Sequence, residues 1–278
     1  ILLRYQEQVT IRHSRFENCS STYGVGGAIY ADLSLSNHVG FTVVHSTFHG
    51  NSAGANGGAI AINGGSLSAI SPINMLFSTW ENNKAGINGG GIYTGAFVNL
   101  NFINSMALRN QATKDGGFVY INSPLGTISK LFLVSGTIAK GHAGRHGGAV
   151  CGILNYFTSG SAMVFQQNSA MGRGGAISLV SSMSNVGGKY IENKASQGGG
   201  ALSLFSTMPP GNVVSGTAVF LRNVATGSKG GALYISSGET KINSANFSLN
   251  SADNGGAIGL INEETNIEIN NASFSENH

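Results

Sequence analysis

The side chains that could perform acid–base chemistry are few and widely separated along this chain. Only 12 of the 278 residues are acidic. Acid–base cleavage of a glycosidic bond needs two carboxylates held at a set separation. Asp32, Asp115 and Asp253 fall in different parts of the sequence, and the densest acidic cluster is confined to 263–268. We therefore expect these acids to be solvated and predict no catalytic carboxylate pair.

Histidines offer no better case for a metal or a cofactor. His142 and His146 are four residues apart, as in a helical zinc site, but the Gly-rich sequence around them predicts a turn. We expect four further histidines near the N-terminus to lie at the surface rather than to bind zinc: His13, His38, His45 and His49. The sequence thus predicts no metal, no cofactor and no catalytic residue.

The most informative feature of the chain is one motif that recurs ten times. A mostly aromatic position is followed three residues later by Asn, and some six residues further on by Gly-Gly-Ala-aliphatic, as in 48–60. The aromatic column is Phe16, Phe48, Trp80, Ala107, Ile138, Phe165, Tyr190, Phe220, Phe247 and Phe274. The polar column is Cys19, Asn51, Asn83, Asn110, Gly141, Asn168, Asn193, Asn223, Asn250 and Asn277. Repeats that cannot bury a face alone must stack on their neighbours.

The Gly pairs mark the turns of the stack. Nine pairs begin at Gly26, Gly57, Gly89, Gly116, Gly147, Gly174, Gly199, Gly230 and Gly255. Glycine permits positive φ and close approach of backbones. The residues after each pair alternate with period two, which is typical of a strand. We place the aliphatic set inside, as Ile60, Ile62, Leu233, Ile235, Ile258 and Leu260. We place the other set outside: Ala28 and Tyr30, Ala59 and Ala61, Phe118 and Tyr120, Ala232 and Tyr234.

The repeat predicts an all-β, right-handed, single-stranded parallel β-helix (β-solenoid) of about ten coils. Residues 1–278 would form a single domain about 45 Å long, from the strand spacing. The hexapeptide period of left-handed β-helices is absent. We expect the aromatic side chains to fill the interior and the Asn amides to hydrogen-bond coil to coil, as in cross-β stacks. Cys19 and Cys151 would lie about 19 Å apart, beyond the reach of a disulfide.

Two columns of side chains are candidates for ligand contacts. Arg109 and Lys140 share one motif position in adjacent coils, with a few other basic residues near the following turn. This basic stripe could meet an anionic polysaccharide or a cell surface, or it could simply be solvated. Tyr30, Tyr93, Tyr120 and Tyr234 share an outward column. Outward aromatic rings can stack on sugars or on another subunit, or can be covered by a loop.

The overall composition excludes several classes of protein. Charged residues make up 10% of the chain and the net charge is +3, which is too weak to indicate a nucleic-acid partner. No apolar run approaches the roughly 18 residues of a transmembrane helix. Three Asn-x-Ser sequons are candidate N-glycosylation sites in a eukaryotic source: Asn18, Asn246 and Asn271.

The pairing of Phe-x-x-Asn with Gly-Gly-Ala-(Ile/Leu/Val) resembles the repeats of the chlamydial polymorphic outer-membrane proteins. Those proteins are autotransporter passengers predicted to be right-handed β-helices and associated with adhesion to host cells. The resemblance covers Phe16 to Asn277 and implies a non-enzymatic adhesin at the cell surface or outside the cell, with a host receptor or a surface polysaccharide as partner. The chain departs from the motif at Cys19, Ala107, Ile138 and Gly141.

The pectin-lyase-like β-helix class also contains polysaccharide lyases and hydrolases, so an enzyme or a carbohydrate-binding module is the alternative. An enzyme would bring carboxylates together in a groove, whereas a structural rod would not. The scattered acids favour the rod. Because the first and last units keep the motif, we also expect the ends to continue a longer solenoid or to associate end to end in a filament.

Overall fold

The computed structural model describes the chain apart from six short segments and the side chains of 207–210. The segments are 5–7, 35–39, 66–69, 125–126, 215–217 and 262–264. In the described residues, all regular structure is β-strand, and the strands pair in parallel, coil on coil. The predicted parallel β-helix is confirmed, with about nine turns marked by a sheet of nine short strands. No helix in this part of the chain is long and apolar enough to cross a membrane.

Each turn contributes strands to four strips that run along the stack. The post-glycine strip follows the Gly pairs and has the separate strands Leu2–Arg4, Ile29–Asp32, Ile60–Asn63, Ile92–Thr94, Val119–Asn122, Leu233–Ser237 and Ile258–Leu260. The second strip has Gln8–Arg12, Gly40–Val44, Ser71–Leu76, Val98–Ile103, Glu239–Asn243 and Asn266–Asn270. In the middle turns, long strands run from one strip into the next: Lys130–Ala139, Val150–Gln166, Ile177–Val186 and Leu202–Val214.

The other two strips form the corner that carries the repeated motif. The aromatic strip has Arg15–Glu17, Thr47–His49, Thr79–Glu81, Ser105–Leu108, Lys189–Ile191, Val219–Leu221, Asn246–Ser248 and Ser273–Ser275. The alanine strip has Ser20–Ser21, Ser52–Ala53, Lys84–Ala85, Gln111–Ala112, His142–Ala143, Ser169–Ala170, Lys194–Ala195, Val224–Lys229 and Ser251–Asn254. Among the described strands, the alanine strip is a separate sheet of nine, and the other three strips join in a sheet of 25.

The aromatic column runs in register through the interior. The rings of Phe48 and Trp80 lie 4.2 Å apart with 2° between their planes. Further along, the rings of Phe165, Tyr190, Phe220 and Phe247 follow one another at 4.7 to 4.9 Å. These separations match the spacing of neighbouring strands, about 4.8 Å. All six rings are fully buried.

Phe118 replaces the ring that the aromatic column lacks at Ala107. The Phe118 ring lies 5.9 Å from that of Trp80 and 5.5 Å from that of Phe102, tilted by 55° and 68°. A Cβ atom added to Gly91 would lie 2.4 Å from Cδ2 of Phe118. Gly91, Ala107 and Phe118 therefore form one packing unit, in which two small residues make room for one displaced ring.

The prediction that Ala28, Ala59, Phe118 and Ala232 point outward is wrong, because all four are buried in the core. After each Gly pair, two successive N–H groups donate to one carbonyl of the next turn. The N–H groups of Ala59 and Ile60, for example, both lie 3.0 Å from Gly91 O. Such a bulge interrupts the alternation of a strand, so two consecutive side chains face inward.

Regular alternation begins one residue later, where the predicted interior set is found. Ile60, Ile62, Leu233 and Ile235 are fully buried, and Ile258 packs against the core. Leu260, which we expected inside, is 36% exposed. Its strand pairs on one side with Leu233–Ser237, and no described strand covers the other side.

The two glycines of a pair are required for different reasons. Gly57 has a φ of +69°, which favours a residue without Cβ. Gly58 has no such φ, but a Cβ there would lie 2.0 Å from the carbonyl oxygen of Gly90 in the next turn. One glycine therefore permits the bend, and the other lets adjacent coils approach.

Candidate functional site

The Asn column forms a buried hydrogen-bond ladder. Asn83 Oδ1 accepts the backbone N–H of Asn51 at 3.0 Å and its Nδ2 at 2.9 Å. Asn83 Nδ2 donates to Phe48 O at 3.0 Å. In the same way, Oδ1 accepts a backbone N–H of the preceding turn, and Nδ2 donates to a backbone carbonyl of that turn, at Asn51, Asn110, Asn168, Asn193, Asn223 and Asn250. These amides are at most 1% exposed. Each one joins its turn to the turn before it.

The ladder is interrupted at Gly141, which has no amide to offer to Asn110. A Cβ atom at Gly141 would lie 2.3 Å from Gly148 O, so the backbone leaves no room for a side chain. Asn168 resumes the ladder by accepting the Gly141 N–H at 2.9 Å. At Cys19, the N–H still donates to Asn51 Oδ1 at 3.0 Å.

A second ladder, which the sequence reasoning missed, runs along the residues that precede the Gly pairs. Asn56 Oδ1 accepts the Asn88 N–H at 3.1 Å, and Asn88 Oδ1 accepts the Asp115 N–H at 3.2 Å. Asp115 Oδ1 accepts the His146 N–H at 3.1 Å, and His146 Nδ1 accepts the Arg173 N–H at 3.0 Å. The residue types differ, but Asn, Asp and neutral His all carry an acceptor at the δ1 position. That shared atom is the signal that could have revealed the ladder.

The middle of this turn ladder carries a charged pair. Asp115 is 2% exposed, and both of its carboxylate oxygens accept hydrogen bonds from Arg145, with Nε at 2.9 Å from Oδ1. The bond to Asp115 raises the pKa of Arg145. Burial lowers the pKa of His146. His146 Nδ1 can accept a hydrogen bond only when the imidazole is neutral, and the lowered pKa favours that neutral form.

A third ladder of hydroxyl groups joins the first turns at the boundary of the second and aromatic strips. The N–H groups of Ser14, Ser46 and Ser78 each donate to the hydroxyl of the next serine, at 3.0 to 3.1 Å. The last acceptor is Ser105 Oγ. Serine is abundant in the sequence and is common in turns and at strand ends. Its recurrence at equivalent positions of these coils therefore did not stand out.

Arg109 of the predicted basic stripe, and Arg145 near the following turn, have partners of opposite charge. Arg109 forms an ion pair with Glu81 and donates from Nε to Asn82 Oδ1 at 3.0 Å. Arg145 is paired with the buried carboxylate of Asp115. Lys140 follows Arg109 in the same column, where both have a φ of 54°. The structure thus places the two residues of the stripe side by side, with one of them neutralised.

The tyrosines share one line on the outer side of the post-glycine strip, but they differ in exposure. The Tyr93 and Tyr120 rings stack at 5.9 Å with 11° between their planes. Tyr30, Tyr93 and Tyr120 are half-buried, and burial raises the pKa of Tyr120 to about 12. Tyr234 is only 4% exposed, and the guanidinium of Arg173 lies over its ring, 5.1 Å from the centroid.

A cavity lies beside the tyrosine line near Ala61, although Ala61, which we expected to be on the outside, is itself only 1% exposed. Ala61 pairs in register with Tyr30 on one side and Tyr93 on the other. The cavity has a volume of about 290 Å³ and is lined by Val25, Tyr30, Asn56, Ala61, Asn63 and Tyr93. At its rim, Asn63 Nδ2 donates to Asp32 Oδ1 at 3.0 Å, and the Ser34 hydroxyl bound to the same carboxylate lowers the pKa of Asp32.

The predicted surface histidines divide between two columns. His13 and His45 stack at 5.3 Å, and the Phe77 ring continues the stack at 5.0 Å. His49 lies elsewhere, with Nδ1 3.4 Å from Oε2 of Glu81. His38 falls outside the described residues. Among those described, no three His, Cys, Asp or Glu side chains are grouped so that they could hold a metal ion.

Six of the nine acids in the described part of the chain form an ion pair with a base of their own or a neighbouring coil. The ion pairs are Glu17 with Arg15, Glu81 with Arg109, Asp115 with Arg145, Glu192 with Arg222, and both Glu239 and Glu268 with Lys241. Residues 263 and 264 of the densest acidic cluster lie outside the described residues. Cys19 and Cys151 are free thiols.

The remaining predicted sites lie on the surface. The three sequon asparagines, Asn18, Asn246 and Asn271, are exposed. The chain matches no family model, no curated protein and no solved structure. Function is therefore inferred from the geometry of the ladders and of the outward columns of side chains.

Proposed function

We propose that this protein is a non-catalytic, extracellular structural or adhesive β-solenoid, either an adhesin-like module on a cell surface or a subunit of a fibre. The observation that carries the proposal is the use of polar side chains to join one coil to the next. Three ladders join one coil to the next, and ion pairs between coils engage Glu81 and Asp115. The result is a rod that presents its outer side chains in fixed columns.

The resemblance to the repeats of chlamydial polymorphic outer-membrane proteins supports the surface location and the adhesive role. The expected partners are a surface polysaccharide or a host-cell receptor, with further copies of the solenoid at its ends. The alternative is a polysaccharide lyase or hydrolase, or a carbohydrate-binding module, of the pectin-lyase-like type. The outward tyrosine rings favour carbohydrate binding, whereas the pairing of the buried Asp115 carboxylate with Arg145 opposes its use as a free catalytic group.

Adhesion and catalysis can be tested on the same purified chain. Beads coated with it should be retained by epithelial cells more strongly than beads coated with an unrelated β-solenoid of similar net charge. Incubation with a panel of plant, bacterial and animal polysaccharides should release no reducing ends. Chain cleavage that scales with protein concentration would contradict the proposal and support the enzyme.

Electron microscopy distinguishes the two versions of the structural role. Fibres that lengthen with concentration, with an axial repeat near the rod length of about 45 Å or a multiple of it, would identify a fibre subunit. Isolated rods at every concentration would instead identify a surface module that binds through its columns. Aggregates without a regular repeat would support neither.

A further inference from the structure

We propose that the outer face of the alanine strip binds an acidic polysaccharide lengthwise, with successive acidic groups at Lys84, His142 and Lys194. The inference rests on the adhesive function proposed above and names the ligand class for one surface of the rod. We call the five residues that follow one another along this face the outer row: Lys84, Gln111, His142, Ser169 and Lys194.

The register sets the spacing of the basic side chains in the outer row. Each of its residues pairs with the next one, so a basic residue occurs in every second coil. At twice the strand spacing, neighbouring bases are about 9.6 Å apart. An extended disaccharide covers a similar length, so a polymer with one acidic group in each disaccharide can meet one base per repeat.

The same spacing does not suit an acidic segment of a protein. In an extended peptide, the side chains on one face recur about every 6.8 Å, which is twice the rise per residue. Acidic residues on that face would therefore lose register with the bases of the outer row after the first contact. The spacing thus favours a polysaccharide over a peptide strand.

The basic groups of the outer row are available to a ligand. Lys84 and Lys194 are exposed, and neither belongs to an ion pair within the described ranges. The His142 ring meets Ser169 Oγ through Nδ1 at 2.9 Å. When that hydroxyl donates to Nδ1, the neutral ring carries its proton on Nε2, which can donate to an acidic group.

The carboxylates closest along the chain to the two lysines are already paired with arginines. Glu81 pairs with Arg109, and Glu192 pairs with Arg222. Their charge is therefore partly balanced, and it repels an acidic polymer less than a free carboxylate would.

A cavity in the outer row gives one acidic group a place to lie. It has a volume of about 220 Å³, and its lining residues include no acid: Lys84, Gln111, Ala112, Thr113, His142 and Gly144. Gly144 has no side chain to fill this space, and a Cβ atom there would lie 2.1 Å from Thr113 O, so the approach of the two coils requires glycine. Gln111 and Thr113 are exposed, so the cavity is open to solvent. Its volume far exceeds the roughly 15 Å³ that admits one water molecule, and it accommodates a carboxylate or sulfate group with part of its sugar ring.

The test is calorimetric titration of the full chain at low ionic strength, where exposed charges are screened least. Hexasaccharides of hyaluronan carry one carboxylate per disaccharide, and those of chondroitin sulfate add a sulfate. The comparisons are neutral chitohexaose and the end-capped peptide Glu-Ser-Glu-Ser-Glu, which has the same number of carboxylates as the hyaluronan hexasaccharide.

We expect at least one acidic hexasaccharide to bind at one site per chain, more tightly than the peptide, and chitohexaose not to bind. Tighter binding of chondroitin sulfate than of hyaluronan would identify sulfate as the group recognised. Hyaluronan binding of equal or higher affinity would identify the carboxylate.

Charge variants locate the binding surface. Lys84→Gln and Lys194→Gln should each weaken binding about threefold to fivefold, and the double variant about tenfold or more. Gln111→Glu, which places a carboxylate in the cavity, should abolish binding. The matched control combines Lys130→Gln with Lys241→Gln, because both lysines lie in strands of the second strip and the net charge falls by the same amount. This control should bind like the wild type.

The proposal is overturned if neither acidic hexasaccharide binds, if the peptide or chitohexaose binds as tightly as both, or if the control loses as much affinity as the Lys84 and Lys194 double variant. Unchanged binding by folded Gln111→Glu would also contradict it. Should Gln111→Glu fail to fold, the comparison of the two double variants decides. Retention of coated beads by cells is measured separately. Retention without binding of an acidic sugar would therefore refute the outer row as a binding surface but not the adhesive function.

Discussion

The packing unit of Gly91, Ala107 and Phe118 allows a quantitative test of how the core is built. Phe118 is fully buried and contacts Trp80 and Phe102. Replacing a buried phenylalanine by alanine costs about 3–5 kcal/mol of unfolding free energy, so Phe118→Ala should lose an amount in this range. The site cannot collapse easily, because Ala107 already leaves the neighbouring position without a ring.

Replacing Gly91 by alanine should destabilise the wild type but not the Phe118→Ala variant. In the wild type, Gly91→Ala brings a Cβ atom to 2.4 Å from Phe118 and should cost about 1–3 kcal/mol through overpacking. In Phe118→Ala, both ring contacts are gone and the closest remaining atom is the backbone oxygen of residue 118 at 3.3 Å, so the same change should be nearly neutral. Ala59, which occupies the same motif position, shows that alanine fits where no ring lies over it. Adding Ala107→Phe to Phe118→Ala should restore a ring next to Trp80 and recover part of the loss.

Urea denaturation followed by tryptophan fluorescence is a suitable assay, because Trp80 is the only tryptophan and contacts the altered ring. The wild type, Gly91→Ala, Phe118→Ala and the double variant form a double-mutant cycle. We expect a coupling of about 1–3 kcal/mol between the two changes in unfolding free energy. Additive effects, within about 0.5 kcal/mol, would refute the idea that Phe118 requires the glycine. Equal loss in Phe118→Ala with and without Ala107→Phe would refute the exchange of ring positions.

Two further predictions concern the ladders. Asn168→Ala removes the hydrogen-bond partners of the Gly141 N–H and of Ile138 O. At about 1–3 kcal/mol for each buried group left unpaired, the variant should lose roughly 2–6 kcal/mol of unfolding free energy, measured by urea denaturation. An unchanged midpoint of the urea transition would contradict a structural role for this side chain. Because burial holds the pKa of His146 below its usual value, the unfolded state binds this proton more readily, so stability should fall as the pH drops through about 6.5. His146→Asn keeps an acceptor for the Arg173 N–H, and its melting temperature should depend less on pH between 5 and 8 than that of the wild type; identical pH profiles would count against this rung.

The repeated columns were predictable because each one has a simple physical requirement that recurs in every coil. Rings in the aromatic column stack at the strand spacing, so a side chain such as Phe165 must meet its equivalent in the next coil. The Asn ladder follows from the same register. The outward direction of Tyr30 and Tyr93 was also predictable, because both lie beyond the bulge, where side chains alternate regularly between the two faces of the strand.

Predictions failed where the backbone departs from the regular strand. The bulge after each Gly pair turns Ala59 and Phe118 inward, and no feature of the local sequence separates a bulge from an ordinary strand start. The turn ladder was hidden because its rungs differ in residue type, from Asn88 to His146. The pairing of Arg145 with Asp115 joins residues of neighbouring coils and could not be read along the chain.

The sequence by itself determined the architecture, because a motif that recurs once per coil can bury its apolar positions only by stacking in register. What the tertiary structure alone decided is how neighbouring coils compensate for the places where the motif is broken. Phe118 fills the space above Ala107 from a different corner, since both lie close to Trp80 in the folded stack. Ala61, in register with Tyr30 and Tyr93 on the outer side, is also only 1% exposed, and its position in the sequence gave no sign of that burial.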